Sequence, residues 1–185
     1  MTDGSGSPRI PPLEPAEMDA AQRELLAGDA LRLNIFRTLV RAPGLFRKWL
    51  PFGGKLLAGG KLSARDRELV ILRTAYRCGA TYEWAQHVAI AQTEGLTRDE
   101  IRRVAAGPAA EGWNTADATL LRAVDELHDD HCIGDATWAA LANRYGTEQL
   151  IELPMLSGHY AMLAGALNSL RVQPESRDLP ALGEA

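Results

Sequence analysis

Apolar residues in this chain recur at the spacing of an α-helix rather than that of a β-strand. After Ser63, which suits a helix N-cap, Leu69, Leu72, Ala75 and Tyr76 fall on one helical face. No segment combines sustained alternation of apolar and polar residues with enrichment in β-branched side chains. The pattern therefore predicts an all-α protein, a compact bundle of seven or eight helices joined by short loops.

Capping residues set the bounds of the predicted helices. Thr97 and Glu100 have the spacing of a capping box, and Gly95 suits the end of the preceding helix. The predicted helices cover residues 15–27, 29–41, 64–78, 81–94, 98–106, 115–130, 135–145 and 147–170.

Prolines and glycines interrupt two apolar segments. Pro51 and the pair Gly53-Gly54 are expected to limit residues 45–57 to a short helix and a loop, because proline removes a helical hydrogen bond and glycine favours turns. Pro154 falls in the first turns of the last helix, where it should kink that helix or delay its start.

The length of 185 residues suits one domain with loose ends. Residues 1–12 are rich in glycine, serine and proline and are expected to form a flexible arm. Residues 13–172 are predicted to form the helical domain, and residues 173–185 a C-terminal tail.

Composition narrows the classes of partner and compartment. A formal net charge of −4 argues against nucleic acid as a partner, since phosphate binding needs a basic surface. No stretch reaches the roughly 18 apolar residues of a membrane span, and the first residues lack the pattern of a signal peptide. Cys78 and Cys132 are too few for a disulfide framework. We therefore expect a cytoplasmic protein.

Ionisable residues inside two apolar helical segments mark the candidate site. Glu83 and His87 are four residues apart on one predicted helix, and Glu68 lies on the helix before it, so the three can converge at a helix–helix contact. A carboxylate beside a histidine suits general acid–base catalysis. Tyr82 adds a hydroxyl donor and Trp84 an aromatic wall. The alternative is structural, with His87 satisfied in the core and Glu68 and Glu83 as ordinary helix charges.

Two further groups of side chains are candidates for a site. His128, His131 and Cys132 have a spacing that can hold a metal ion. The adjacent Asp129 and Asp130 favour a solvated helix end instead, so no metal is predicted. His159 and Tyr160, adjacent in the last helix, either line the same pocket as His87 or pack.

The order of motifs resembles the carboxymuconolactone decarboxylase and alkylhydroperoxidase D superfamily. Glu68 is followed by Y-E-W-x-x-H at residues 82–87 and then by A-x-x-x-G-L-T-x-x-E-I at residues 91–101. R-I-P-P-L at residues 9–13 and E-L-x-x-L-x-G-H-Y-x-M-L-x-x-x-L-N at residues 152–168 extend the likeness. The resemblance covers about residues 9–172 and implies the alkylhydroperoxidase D-like helical fold.

The peroxidase branch of that superfamily carries a glutamate and then C-x-x-C-x-x-x-H. Its two cysteine positions correspond here to Ala80 and Glu83, so the thiols that the peroxidase reaction needs are missing. The chain thus looks like the thiol-free branch. A peroxidase that uses Cys78 instead is an alternative.

The thiol-free branch implies a decarboxylase-like reaction that uses neither a metal nor an organic cofactor. On this resemblance His87 transfers the proton, Glu68 or Glu83 orients it, and Arg73 is a candidate to bind a substrate carboxylate. The substrate is then a small carboxylated or lactone-bearing metabolite. The third alternative is a non-catalytic helical assembly protein that kept the fold.

The resemblance also implies a homo-oligomer, a trimer or a hexamer, with a dimer as the alternative. Residues 45–57 and the last helix carry large apolar side chains and are the candidate contact surfaces. The side chains named for that role are Phe46, Trp49, Phe52, Leu153, Met155 and Leu163.

Overall fold

A computed structural model of the chain describes residues 6–176 and 178–185, and over these residues it has α-helices and no strand. Two short 3₁₀ helices, Pro15–Glu17 and Gly28–Arg32, lie near the start. The α-helices are α1 Ala20–Leu25, α2 Asn34–Leu39, α3 Pro43–Ala58, α4 Ala64–Arg77, α5 Thr81–Thr93, α6 Arg98–Ala106, α7 Thr115–Asp130, α8 Asp135–Ala142 and α9 Thr147–Leu170. The all-α class is confirmed.

Helix α4 is the centre of the bundle. Its four consecutive residues Leu69, Val70, Ile71 and Leu72 are all fully buried. A helix that is apolar on every side must be enclosed, and α4 packs against α5, α6, α7 and α9. The main core forms around it, and a smaller core joins the N-terminal segment to α3 through Leu13, Met18, Leu26, Val40 and Phe46.

The capping residues begin and end several helices as predicted. The Ser63 side chain accepts a hydrogen bond from the Asp66 amide at the start of α4, and Thr97 with Glu100 forms the capping box of α6. Gly95 follows α5 with φ +92°, a left-handed conformation that glycine adopts without strain. The bounds of α7 and α9 agree with the prediction.

The prediction that residues 45–57 break into a short helix and a loop was wrong. Helix α3 runs without interruption from Pro43 to Ala58, with Pro51 inside it. Proline there removes one hydrogen bond, but the helix buries Phe46 and Leu56 on either side of Pro51, and this burial outweighs that loss. Gly53 lies against His159, where an added Cβ would be 3.2 Å from Nε2, so glycine permits a close contact instead of breaking the helix.

Three other predicted helices differ in extent. Residues 15–27 form a 3₁₀ turn and the short α1, and residues 29–41 divide between a 3₁₀ helix and α2. Helix α8 ends at Ala142 rather than at residue 145. Pro154 does not delay α9, which begins at Thr147. Helix α1 packs on α3, and α8 packs on α7 and α9, and periodicity along the chain does not record such contacts.

Both ends of the described chain pack onto the helices. The Arg9 amide donates to the Leu170 carbonyl, so the part of the predicted arm from Arg9 onward is attached to α9. Residues 1–5 of the arm lie outside the described residues. In the predicted tail, Leu182 and Ala185 pack against the main core, and the Glu184 carbonyl accepts a hydrogen bond from Trp84.

The side chains named for subunit contact divide between core and surface. Phe46, Leu153 and Leu163 are buried, which corrects their assignment to a contact surface, and Trp49 is half-buried. The exposed large apolar side chains of α3 and α9 are Leu45, Phe52, Ile151, Met155 and Met162. None of the helices in the described parts of the chain combines the length and apolarity that crossing a bilayer requires.

Candidate functional site

A cavity of about 180 Å³ opens between α3, α5 and α9 and the segment that begins α2. Its walls are mainly leucine, isoleucine, phenylalanine and tryptophan side chains, because three apolar helix faces meet there. Besides the indole of Trp49, six side chains with polar atoms line it: Tyr82, Glu83, Gln86, His87, His159 and Tyr160. A small apolar cavity with few converging polar groups is the usual form of a small-molecule site.

His87 and Glu68 form a buried pair at this cavity. His87 Nδ1 lies 2.7 Å from Glu68 Oε2, and the Glu68 side chain is fully buried. Arg67, the residue before Glu68, donates from Nε to Glu68 Oε1 at 3.1 Å. The carboxylate thus accepts one hydrogen bond on each oxygen, which offsets the cost of its burial. Sequence reasoning left the partner of His87 open, and the structure selects Glu68.

This arrangement prepares His87 for proton transfer. With Nδ1–H donated to Glu68, the second ring nitrogen, Nε2, is left to accept a proton. The carboxylate would hold the tautomer and stabilise the imidazolium that forms, as in hydrolytic triads. Arg67 also lies 3.6 Å from Glu94 Oε1, so its charge is shared between two carboxylates.

Glu83 lies at the same cavity but does not pair with His87. Only 2 % of the residue is exposed, and both carboxyl oxygens are buried without a hydrogen-bond partner among the described residues. Burial raises the pKa of Glu83 well above its usual range, because the charged form loses its hydration. Burial therefore favours the neutral carboxylic acid form of Glu83, which has one donor and one acceptor.

His159 lies in the cavity wall, as one of the two sequence interpretations proposed. Its ring stacks on Trp49, with ring centres 6.0 Å apart and planes 9° from parallel. Its Nδ1 is buried and has no partner among the described residues, and burial lowers the pKa of this imidazole. The Tyr160 ring meets both His87 and His159 edge-on, at 5.1 and 5.3 Å.

Tyr82 reaches the cavity with its ring, but its hydroxyl is engaged elsewhere. The hydroxyl donates to Glu175 at 2.7 Å and accepts from the Ile35 amide at 3.2 Å. Burial and the bond to Glu175 raise the pKa of Tyr82. Glu175 also accepts from the amide of Asn34, and it therefore joins the C-terminal segment to the rim of the cavity.

Two residues assigned to the substrate pocket lie elsewhere. Trp84 is fully buried in the main core, against Tyr76, and does not line the cavity. Arg73 forms a two-pronged ion pair with Asp125, at 2.7 and 2.9 Å. It also donates to two carbonyls at the end of α6, so its hydrogen-bonding groups are engaged away from the cavity. Both helices are buried on several sides, so spacing could not show which side faces the cavity.

The cysteines and the remaining histidines lie outside the cavity lining. Cys78 Sγ is 3.8 Å from His128 Nδ1, and burial raises the pKa of the Cys78 thiol, which disfavours the reactive thiolate. Cys132 is exposed, and neither cysteine is in a disulfide. Within residues 6–176 and 178–185, no group of three or more His, Cys, Asp or Glu side chains is placed to hold a metal ion.

Sequence reasoning did not find three residues of the site: Arg67, Trp49 and Glu175. Arg67 precedes Glu68 in sequence, and that neighbour was the available signal. Trp49 was interpreted as a subunit contact because it is one of the large apolar side chains of residues 45–57. Glu175 carried no signal in the sequence. Its partner Tyr82 lies 93 positions earlier in the chain, and its partner Asn34 lies 141 positions earlier.

The chain is similar to known proteins in both sequence and structure. The sequence profile of the Carboxymuconolactone decarboxylase family matches residues 43–126, which include Glu68, Glu83 and His87. No curated protein matches the chain.

Three solved proteins have a similar fold. The debrominase Bmp8 is 16 % identical with a TM-score of 0.73, and the match covers 90 % of this chain and 92 % of that one. An uncharacterised peroxidase-related protein from Ralstonia eutropha, with an alkylhydroperoxidase AhpD core, is 18 % identical with a TM-score of 0.68, covering 76 % and 75 %. A protein of unknown function from Agrobacterium tumefaciens, named for the antioxidant defence protein AhpD, is 18 % identical with a TM-score of 0.67, covering 73 % and 94 %. At these identities the likeness shows the fold alone.

Proposed function

We propose that this chain, which belongs to the carboxymuconolactone decarboxylase and alkylhydroperoxidase D-like superfamily, is an enzyme that transfers a proton between His87 and a small molecule in the adjoining cavity. The observation that carries the proposal is the 2.7 Å contact between His87 Nδ1 and the fully buried Glu68 at the wall of an apolar cavity. A buried histidine with an oriented tautomer is the arrangement that general acid–base catalysis requires.

The reaction we propose is of the lyase or isomerase class. As a base, His87 would take a proton at Nε2 from the substrate, and Glu68 would stabilise the imidazolium. As an acid, the imidazolium would return the proton to an electron-rich carbon of the substrate, the step that completes an isomerisation. Arg67 would hold Glu68 in place through its hydrogen bond to Oε1 as the proton moves. A lactone-bearing ring is the substrate feature most consistent with this chemistry.

Exchange of substrate hydrogen for deuterium tests the proposal without knowledge of the net reaction. Small lactones are incubated with the protein in D₂O, and loss of the proton signal is followed by NMR. We expect His87→Ala and Glu68→Gln to slow the exchange by about 10²- to 10⁴-fold, the usual contribution of a positioned acid or base. His128→Ala is the matched control, because His128 is exposed and lies outside the cavity lining. Equal exchange by wild type and His87→Ala would contradict the proposal.

The two alternatives receive less support. A peroxidase would need an accessible thiolate near His87, whereas Cys78 is half-buried, contacts His128 and does not line the cavity. A non-catalytic assembly protein was expected to leave His87 in solvent or without room beside it. His87 is instead 7 % exposed and faces a cavity of about 180 Å³.

A further inference from the structure

The cavity beside His87 contains no cation that would receive a negatively charged substrate. Among the described residues no lysine or arginine lines it, and the residue proposed for that task, Arg73, is paired with Asp125. A carboxylate placed there would lose its hydration without gaining an ion pair, which costs several kcal/mol. Glu68, which contacts the far side of the His87 ring, would repel a substrate carboxylate further. An anionic substrate is therefore disfavoured.

Three residues in the cavity wall have buried polar atoms that lack partners in the described protein. Both oxygens of Glu83, Nδ1 of His159 and Nε1 of Trp49 are buried and form no hydrogen bond. Buried polar groups are nearly always satisfied, so several orphaned groups around one cavity indicate that a ligand supplies the partner. A neutral carboxylic acid offers a donor and an acceptor side by side, and it matches a ligand edge with the complementary pair.

The size and the walls of the cavity limit the ligand to one ring. Its volume is about 180 Å³, and an apolar cavity of about 150 Å³ is known to bind benzene. Apolar side chains make up most of its surface, and the aromatic rings of Trp49, His159 and Tyr160 belong to the lining. Aromatic side chains pair favourably with another ring, so such a lining favours a planar ring ligand.

From these observations we infer that the site takes an uncharged, single-ring substrate whose adjacent donor and acceptor, of the lactam or enol–carbonyl kind, pair with the carboxylic acid of Glu83. This inference rests on the proposed function, because it names the substrate class of the same site. It makes Glu83 a substrate-binding residue and separates its role from that of Glu68, which orients His87.

Four small probes test the charge and the hydrogen-bonding edge separately. The probes are 2-pyridone (neutral, with adjacent donor and acceptor), toluene (neutral, without them), benzoate (anionic) and benzylammonium (cationic). Their affinities for the full chain are measured at pH 7 by calorimetry or ligand-observed NMR. We expect 2-pyridone to bind more tightly than each of the others. Equal or tighter binding of benzoate or of benzylammonium would overturn the inference.

Variants at Glu83 assign the edge contact. Glu83→Gln keeps a donor and an acceptor and should retain 2-pyridone affinity within about threefold, whereas Glu83→Leu should weaken it by about tenfold or more and leave toluene unaffected. Circular dichroism checks that each variant is folded. Unchanged 2-pyridone affinity in folded Glu83→Leu would refute the pairing.

The same titration in His87→Gln separates this inference from the proposed function. Binding of 2-pyridone should persist there, because it depends on Glu83 rather than on proton transfer. Absence of deuterium exchange in the wild type, or equal exchange in wild type and His87→Gln, with Glu83-dependent binding intact would sink the enzyme proposal alone. Deuterium exchange that depends on His87, without tighter binding of the neutral probe 2-pyridone, would refute the inferred substrate class alone.

Discussion

Burial of Glu83 should make the stability of this protein fall as the pH rises. The residue is 2 % exposed and both carboxyl oxygens lack a protein donor. It lies in the first turn of α5, where the helix dipole favours a negative charge by about 0.3–1 kcal/mol. Desolvation of an unpaired carboxylate costs several kcal/mol. Desolvation prevails, and the pKa of folded Glu83 is raised.

The direction of the pH effect follows from proton binding. The folded state keeps the Glu83 proton to a higher pH than the unfolded state does, so its contribution to stability is complete below the unfolded pKa. That contribution is lost as the pH rises toward the folded pKa, by about 1.4 kcal/mol for each pH unit between the two values. Glu83→Gln cannot ionise, so we expect the variant to be more stable than wild type at pH 8 by that amount per unit of raised pKa.

Urea unfolding followed by circular dichroism at several pH values between 5 and 8 measures this difference. His159 has a lowered pKa and contributes the opposite slope near its own titration, but this contribution is common to wild type and variant and cancels in the comparison. Glu111→Gln is the control, because it makes the same replacement of a carboxyl group by an amide at an exposed position. If the wild-type and Glu83→Gln curves ran parallel across this range, Glu83 would not be a buried neutral acid.

Three further predictions concern the rest of the molecule. Arg73→Ala should lower the free energy of unfolding by about 1.5–3 kcal/mol, because the half-buried Asp125 loses its two-pronged partner and keeps only Arg77, at 3.1 Å, and 2-pyridone affinity of the folded fraction should not change; weaker probe binding would return Arg73 to the site. The double variant Cys78→Ser, Cys132→Ser should keep the wild-type rate of deuterium exchange, and thiol titration of the wild type should show no loss after peroxide treatment; a large loss of activity in the variant would revive the redox alternative. The proposed trimer or hexamer should be the main species in sedimentation equilibrium at low micromolar concentration, and a single species at the 20.1 kDa mass of one chain would refute it.

The link between His87 and Glu68 was within reach of the sequence. Helical spacing placed the two residues on consecutive helices, and the short turn at Gly79 required those helices to fold back on each other. Burial of a carboxylate demands a partner, so their contact was among the expected pairings. The competing pair, Glu83 with His87, had equally good spacing. Only the rotation of α5 against α4, set by packing, decided between the two.

The roles expected of Trp84 and Arg73 failed for a related reason. Hydrophobic periodicity identifies the buried face of a helix that has a solvent side. Helix α4 is enclosed by four neighbours, so almost all of its faces are inside, and periodicity cannot distinguish the face toward the cavity from the face toward α7. Arg73 met Asp125 on α7, a residue 52 positions away that local patterns do not connect to it.

The sequence alone determined the helical class, the caps of the central helices and the chemistry of the ionisable residues, because these depend on neighbours within a few positions along the chain. The tertiary structure alone decided that α3 continues through Pro51, that Glu83 is orphaned, and that Trp49, His159 and Tyr160 enclose a cavity without a cation. Those features arise where α3, α5 and α9 meet. Their energies come from burial against distant residues, and burial is a property of the packed molecule rather than of any one segment.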